Sequence, residues 1–158
     1  YLGGGYPELY KETLGKNKAL GRDLKSFAEK GGVLIAEGGG FMSLLEKIDG
    51  STAFGLFPGE AIMTDRLQHF GYQVIAAEED GLLLKAGESS PVHEFHYSFA
   101  HEEGQGLLIQ KPGGRVKRRT AHHEKNVYAG YPELHISGNE KLRENILKAL
   151  KEATPWQG

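Results

Sequence analysis

The sequence predicts a layered α/β fold, in which short buried strands are joined to helices by tight turns. The clearest observation is segment 33–47 (VLIAEGGGFMSLLEK), where an apolar run, a glycine turn and a helix-like run follow one another. The second is glycine content: 23 of 158 residues are glycine, and they cluster beside apolar stretches. The length fits one compact domain, and 39% hydrophobic residues can form a real core.

The N-terminal region predicts a strand end followed by helical segments. Tyr1 and Leu2 run directly into three glycines, so we expect a strand that is cut short and an N-terminally incomplete domain. Pro7 and Glu8 favour a first helical turn. Residues 17–30 place apolar side chains at helical spacing, and a glycine pair ends that helix.

Segment 33–47 predicts a buried parallel strand over residues 33–36, a tight turn over residues 37–40 and a helix that begins at Phe41 and runs to the end of the segment. A sharp turn between a strand and a helix holds one residue at the helix N-terminus. Proteins use this arrangement to present a nucleophile or to bind an anion.

The rest of the chain predicts short strands, a hairpin and a final helix. The strand-like pieces are residues 71–76, 81–84, 94–98, 107–109 and 126–129. Residues 111–114 (KPGG) are typical of a hairpin connection, and residues 139–152 repeat apolar side chains at helical spacing. We expect one domain over residues 1–153 and a loose tail over residues 154–158.

Composition excludes several classes of protein. The formal net charge is −2, without the basic excess typical of proteins that bind nucleic acids or membrane surfaces. We find neither a long apolar run nor a secretion leader, so we expect a cytoplasmic protein without nucleic-acid or membrane partners. Cysteine is absent, which excludes disulfides, thiolate metal centres and a cysteine nucleophile in this chain.

Five motifs in register carry a resemblance that covers residues 1–145. They are GGGYPEL (3–9), AEGGGFM (36–42), GLFPG with MT and LQHFGY (55–72), HEFHYS (93–98) and NVYAGY (126–131). In this order and spacing they resemble the C-terminal glutamine amidotransferase domain of cobyrinic acid a,c-diamide synthases.

The resemblance implies a class I amidotransferase-like, flavodoxin-like fold: a three-layer sandwich with a central mixed, mainly parallel sheet. It implies hydrolysis of glutamine to glutamate and ammonia. The ammonia passes to an ATP-dependent synthetase domain or subunit, which amidates carboxylates of a tetrapyrrole in cobalamin biosynthesis. ATP and Mg²⁺ belong to that synthetase part. No Gly-x-x-x-x-Gly-Lys-Ser/Thr pattern occurs here, so we expect no cofactor in this chain.

The resemblance also implies a change at both catalytic positions. The family's turn reads Ala-Glu-Cys-Gly-Gly, and here it is AEGGG, so Gly38 stands at the position of the cysteine nucleophile. The family's late Tyr-x-His-x-His segment is YPELH here, so Glu133 stands at the position of the catalytic histidine and His135 keeps the second histidine. Without a nucleophile and a histidine base, the acyl-enzyme route to amide hydrolysis is missing.

The wall of a pocket remains, and glutamine is its candidate ligand. The expected oxyanion and substrate-pocket residues are Gly4, Gly5, Gly39, His96, Tyr97, Ser98 and His135. No metal site is implied. A metal pair at His93 and His96 is an alternative, but packed and hydrogen-bonded histidines are the more common reading.

Plainer interpretations remain beside these. The triple glycine at residues 38–40 would serve equally as a tight packing turn. The basic strip around Arg118 and Arg119 predicts a solvated sheet edge. For function, three hypotheses stay open: ammonia supply for a cobyrinate-type amidation, a structural or docking domain for an ammonia-dependent synthetase, and a small-anion binding domain.

Overall fold

The computed structural model describes residues 1–115 and 117–153, and the expected tail over residues 154–158 lies outside them. The helices are α1 (Lys11–Lys16), α2 (Lys18–Glu29), α3 (Gly39–Leu44) and α4 (Glu140–Glu152), with 3₁₀ turns at Pro7–Leu9 and Ile136–Gly138. The strands are β1 (Leu34–Glu37), β2 (Leu45–Ile48), β3 (Ser51–Thr52), β4 (Phe57–Met63), β5 (Phe70–Ala76), β6 (Ser89–Phe95), β7 (Ser98–Ala100), β8 (Leu107–Gln110), β9 (Arg118–Thr120), β10 (His122–His123), β11 (Val127–Gly130) and β12 (Glu133–Leu134). None of the helices in the described ranges combines the length and the apolar character that a bilayer crossing needs.

The strands form three sheets. In the first, β1 runs parallel to β11, β10 pairs antiparallel with β11, and Leu2 adds a parallel bridge to Ala36 on β1. The second sheet has the order β12-β6-β5-β8-β9, with every pair antiparallel. The third has the order β3-β2-β4-β7 and contains one parallel pair, β2 with β4.

The predicted α/β class is confirmed, with mixed sheets. The described strand pairs are largely antiparallel, whereas the resemblance implied a mainly parallel central sheet. The reason is the connections: parallel neighbours need a long crossover, usually a helix, while antiparallel neighbours need only a short turn. Among the described residues between β4 and β10 no helix intervenes, and consecutive strands pair as hairpins or return antiparallel.

The β1–β11 pair lies between two hydrophobic cores. Side chains alternate across a strand, so Leu34 and Ala36 face one core while Ile35 faces the other. The same alternation on β11 sends Val127 and Tyr128 to opposite cores. The first core contains the apolar side chains of α3, and the second contains those of α4. The β1–β11 pair is therefore the central layer. Packing against both cores holds the end of β1, where the turn begins, in place.

The two long helices predicted from the sequence are confirmed, and asparagine caps begin both. Asn17 Oδ1 accepts from the backbone N–H of Leu20 at 3.2 Å, and Asn139 Oδ1 accepts from that of Leu142 at 3.2 Å. The helix predicted after the glycine turn is shorter than expected, because α3 ends at Leu44 and β2 begins at the next residue. Pairing of β2 with β3 and β4 overrides the helical spacing there.

The strand predicted over residues 81–84 is wrong, since this segment is an irregular loop. Its leucines are buried as a strand's would be. The backbone N–H groups of Leu83 and Leu84 donate to Nε2 of His123, at 3.1 and 3.3 Å, and thus not to a neighbouring strand. The half-buried side chain of His123 satisfies the backbone here, so the apolar run needs no sheet partner.

Candidate functional site

A cavity of about 460 Å³ adjoins the turn that follows β1, and its size is typical of small-molecule sites. The N-terminal glycine loop, the turn into α3, the ends of β4 and β6, and β12 all contribute to it. Its lining residues are Gly4, Gly5, Tyr6, Glu8, Gly38, Gly39, Met42, Met63, His93, Phe95, His96, Tyr97, Ser98 and Glu133. All but one of the site residues expected from the sequence therefore lie around one cavity.

Gly38 occupies the sharp bend between β1 and α3. Its φ of 50° and ψ of −115° are unfavourable for residues with a side chain. Its N–H donates to the carbonyl of Gly130 at 3.0 Å, and its carbonyl accepts from Met42 at 3.1 Å. A Cβ built at Gly38 would meet only Glu133 Oε1, at 3.6 Å, and the Cα of Gly4, at 4.0 Å. The bend therefore has room for a side chain, and that side chain would face Glu133.

The other two glycines of the turn are required by packing. A Cβ at Gly39 would lie 2.5 Å from the carbonyl oxygen of Gly5, and a Cβ at Gly40 would overlap the carbonyl oxygen of Leu2. Both obstacles are backbone atoms, which cannot move aside as a flexible side chain can. The packing interpretation of the triple glycine thus holds for Gly39 and Gly40 but does not account for Gly38.

Glu133 sits on β12 directly opposite His93 on β6. Its Oε2 lies 3.8 Å from Nδ1 of His93, and its side chain is about half exposed, at 45%. Its other oxygen, Oε1, faces Gly38 and also lies 3.7 Å from a Cβ built at Gly4. The structure thus brings Gly38 and Glu133 together, with a carboxylate oxygen facing the bend at residue 38.

Glu37, which the sequence analysis did not place in the site, lies buried beneath it. The hydroxyl of Tyr1 donates to Glu37 Oε2, and the backbone N–H of Leu134 donates to Oε1 at 2.7 Å. Burial raises the pKa of Glu37, and the nearby charge of Glu133 adds to that rise. In the sequence, an ionisable residue at the end of an apolar strand was the available sign that Glu37 belongs near the site. Its hydrogen-bond partners, Tyr1 and Leu134, are too distant in sequence to be identified from it.

His96 is buried at the inner side of the cavity, stacked on Tyr131 with ring centroids 3.9 Å apart. Its Nδ1 lies 2.6 Å from the carbonyl oxygen of Ser98. A carbonyl only accepts, so Nδ1 carries the proton and Nε2 is left as an acceptor, without a partner among residues 1–115 and 117–153. Burial lowers the pKa of His96, which keeps the ring neutral. Ser98 Oγ donates to the hydroxyl of Tyr131 at 3.0 Å and completes this cluster.

His135 is not part of the cavity, which corrects its expected place in the pocket. It lies on the exposed segment after β12, where its ring packs beside Gly138. Tyr97 does line the cavity, at its partly exposed rim. The chain turns at the end of β12, so a residue only two positions after Glu133 faces elsewhere.

The histidine pair considered as a metal site is not held on one strand face. β6 ends at Phe95, and His96 turns inward while His93 stays at the surface end of the cavity. In the described ranges we find no group of three or more histidine, aspartate or glutamate side chains that could hold a metal ion.

The basic strip is not simply a solvated edge, which corrects the expectation for Arg118. Its guanidinium lies 2.5 Å from Glu94, a fully buried carboxylate, and 2.7 Å from Glu103. Arg119 is the exposed member of the strip and pairs with Glu78.

The family model of the CobB/CobQ-like glutamine amidotransferase domain matches residues 1–141. Among curated proteins, the chain is 34% identical to the cobyrinate a,c-diamide synthase of Clostridium acetobutylicum, over 94% of this chain and 35% of that protein. It is 37% identical to the Fusobacterium nucleatum protein of the same name, over 92% of this chain and 34% of that protein. The Methanobrevibacter smithii protein of that name is 31% identical, over 96% and 35%.

The chain therefore spans about a third of the length of these relatives. The match covers both the turn at Gly38 and the segment with Glu133. The chain belongs to the family of CobB/CobQ-like glutamine amidotransferase domains.

Proposed function

We propose that this domain is the amidotransferase-like part of an enzyme that amidates tetrapyrrole carboxylates, and that it does not hydrolyse glutamine. One observation carries this proposal: Gly38 leaves a vacant position facing Glu133, where a side chain would fit at 3.6 Å. The names of the relatives supply the substrate class, a cobyrinate-type tetrapyrrole.

The chemistry of the family route explains the expected loss. A thiolate attacks the amide carbon of glutamine, ammonia leaves as the C–N bond breaks, and water then hydrolyses the thioester to glutamate. Gly38 has no atom that can form that bond. Glu133 can accept a proton, but residue 38 has no thiol to supply one. Backbone N–H groups near Gly39 would still stabilise an oxyanion, yet donors alone do not start the reaction.

The domain's remaining role in this proposal is to dock on the synthetase part. Three aromatic residues lie exposed on the outer side of β5 and β6: Phe70 at 54%, Tyr72 at 78% and Phe95 at 53%. Phe70 is paired directly across from Phe95, with ring centroids 5.8 Å apart. This outer aromatic face, defined as Phe70, Tyr72 and Phe95, reaches the cavity at Phe95. Exposed apolar surface of this kind is typical of an interaction site.

The proposed occupant of the outer aromatic face is an ATP-dependent synthetase domain or subunit. The relatives are about three times as long as this chain, which leaves room for such a part. ATP and Mg²⁺ would bind there, and free ammonia would be the nitrogen donor. The finer fold assignment belongs to this proposal: the parallel segments Leu2, β1 and β11 would be the centre of a class I sandwich.

The test is amidation of the tetrapyrrole by this domain together with its synthetase part, with either ammonium chloride or glutamine as nitrogen donor. We expect amide formation with ammonium and none above background with glutamine. The matched control is the Gly38→Cys/Glu133→His double variant in the same assembly, which restores both family residues. Glutamine-dependent amidation by the unaltered protein would contradict the proposal.

A further inference from the structure

We propose that the cavity binds an ammonium group, either NH₄⁺ itself or the –NH₃⁺ of a small primary amine, in the space left open at Gly38 and against Glu133. This inference rests on the proposed function, because it requires a cavity that holds no nucleophile. It adds a ligand class that differs from both glutamine and a small anion.

The charge of the lining favours a cation. Two carboxylates, Glu8 and Glu133, line the cavity. Neither lysine nor arginine contributes to the described lining. An anionic ligand would meet like charges without a compensating cation, whereas an ammonium group would meet opposite charge in a partly desolvated space.

The geometry leaves one carboxylate oxygen free for such a ligand. His93 approaches Oε2 of Glu133 at 3.8 Å, so that side of the carboxylate is occupied. Oε1 instead faces two residues without side chains, Gly38 and Gly4, at 3.6 and 3.7 Å from their built Cβ positions. A nitrogen at an ordinary hydrogen-bond distance of about 2.8 Å from Oε1 fits in that space.

The aromatic and histidine side chains of the cavity supply further contacts. His96 is nine-tenths buried, and its Nε2 is an acceptor without a partner in the described part of the chain, the kind of atom that a donor-only ligand satisfies. The rings of Tyr6, Phe95 and Tyr97 also line the cavity, and the faces of aromatic rings attract cations. The Nε2 atom of His96 thus favours a ligand that donates hydrogen bonds, and this observation is independent of the carboxylates.

The volume of the cavity bears on which of the two ligands, NH₄⁺ or a small primary amine, fits it better. A cavity of about 460 Å³ is much larger than NH₄⁺ requires, so a small organic amine would fill it better. Ammonium itself would instead bind with several waters around it. The carboxylate and the open bend at Gly38 serve either ligand, and the experiment distinguishes them.

The experiment is titration of the protein with ammonium chloride and, separately, ethylammonium chloride at constant ionic strength. Binding is followed by the backbone amide signals of Gly4, Gly38 and Gly39 in ¹H–¹⁵N correlation spectra. We expect saturable shifts that sodium chloride, tetramethylammonium chloride and sodium phosphate do not produce. Saturation by ammonium alone assigns the inorganic ion, and saturation by ethylammonium alone or more tightly assigns an organic amine.

The matched variants are Glu133→Gln, which keeps the shape and removes the charge, and Glu12→Gln on the exposed face of α1. We expect at least tenfold weaker binding in the first and no change in the second. Unchanged amide signals remote from the cavity verify that Glu133→Gln is folded. No saturable shift with either cation, an equal response in Glu133→Gln, or saturation by phosphate would overturn the inference. Its failure is separate from that of the proposed function, which is contradicted by glutamine-dependent amidation or by glutamate release from glutamine.

Discussion

The glycine turn has a packed side, formed by Gly39 and Gly40, and an open side, formed by Gly38, and the two differ in their contacts. On the packed side, Gly39 and Gly40 press against the backbone of the N-terminal loop, and buried Glu37 accepts two hydrogen bonds. On the open side, Gly38 and Glu133 face each other across unfilled space. The packed side therefore determines the shape of the bend, whereas the open side determines what chemistry the bend can perform.

This difference teaches that the shape of the bend does not depend on a side chain at residue 38. The strand end, the glycine loop and the start of α3 fit together through backbone contacts that no side chain at residue 38 influences. A change from cysteine to glycine removes reactivity and also relieves the strain of a side chain at φ 50°. Under the proposed function, the fold is kept without the activity for which its family is named.

The largest difference in stability between the two sides should come from alanine substitutions within the turn. We expect Gly40→Ala to lower the free energy of unfolding by about 3 kcal/mol or more, because its methyl group overlaps a backbone carbonyl. Gly38→Ala should cost only about 1–2 kcal/mol, since its methyl group has room and only the backbone conformation is strained. Urea unfolding of both variants measures the difference. Equal losses would break the distinction between the sides.

Substitutions of the carboxylates Glu37 and Glu133 should also differ in their effect on stability, with the larger loss on the packed side. Glu37→Ala leaves the hydroxyl of Tyr1 and the N–H of Leu134 without their acceptor, and we expect a loss of about 2 kcal/mol. Glu133→Ala should change stability by less than about 0.5 kcal/mol, because its side chain is half exposed. Glu37→Gln is the control, since its amide oxygen can still accept from the N–H of Leu134 while its NH₂ group donates to the hydroxyl oxygen of Tyr1. A larger loss from Glu133→Ala than from Glu37→Ala would reverse the comparison.

Acid should destabilise the protein through histidines outside the cavity. Burial lowers the pKa of His123 to about 4, and its Nε2 accepts from the N–H groups of Leu83 and Leu84. The unfolded chain, with an ordinary histidine pKa of about 6.5, therefore binds the proton first. Stability is full above about pH 6.5 and is lost as the pH falls towards 4. His122 behaves alike, since burial also lowers its pKa to about 4.

The measurement is the urea midpoint between pH 7.5 and 4.5 for the unaltered protein and for His123→Gln. We expect a shallower pH dependence in the variant, because one titrating group is removed while an acceptor oxygen is kept. An unchanged slope would show that His123 is already protonated or already exposed in the folded state.

The smallest effect on stability should come from the outer aromatic face. Tyr72 is 78% exposed and contacts the ring of His93 across the strands, so Tyr72→Ser should cost less than about 1 kcal/mol. We nevertheless expect about tenfold weaker association with the synthetase part, measured by titration calorimetry. Leu150→Ser, on the exposed face of α4, is the control and should leave the association unchanged. Equal effects of the two variants would argue against docking on this face.

The features that the sequence predicted correctly are those encoded locally. The helices predicted over residues 17–30 and 139–152 have clear apolar periodicity, and the structure has helices at Lys18–Glu29 and Glu140–Glu152. The strand and glycine turn of segment 33–47 were predictable because an apolar run and consecutive glycines leave few alternatives. The pairing of Gly38 with Glu133, 95 positions apart, came only through the family resemblance, since spacing in the sequence does not indicate it.

The features that escaped prediction depend on long-range contacts. An apolar run such as residues 81–84 fits a strand or a buried loop equally well, and only the distant ring of His123 decides between them. Arg118 was expected in solvent because buried Glu94, its partner, is on a different strand. The burial of Glu37 likewise depends on Tyr1, which lies 36 positions away.

Glutamate release from glutamine tests the central claim most directly. The chain contains no cysteine, so a single introduced thiol is the only nucleophilic sulfur present. Three proteins are compared: the unaltered chain, Gly38→Cys/Glu133→His, and Gly50→Cys/Glu133→His, which places the thiol on an open turn elsewhere. We predict no glutamate above background from the first and third, and measurable turnover from the second. Glutamate release by the unaltered chain, or equal activity of the two thiol variants, would contradict the claim that only the reagent is missing from the Gly38 bend.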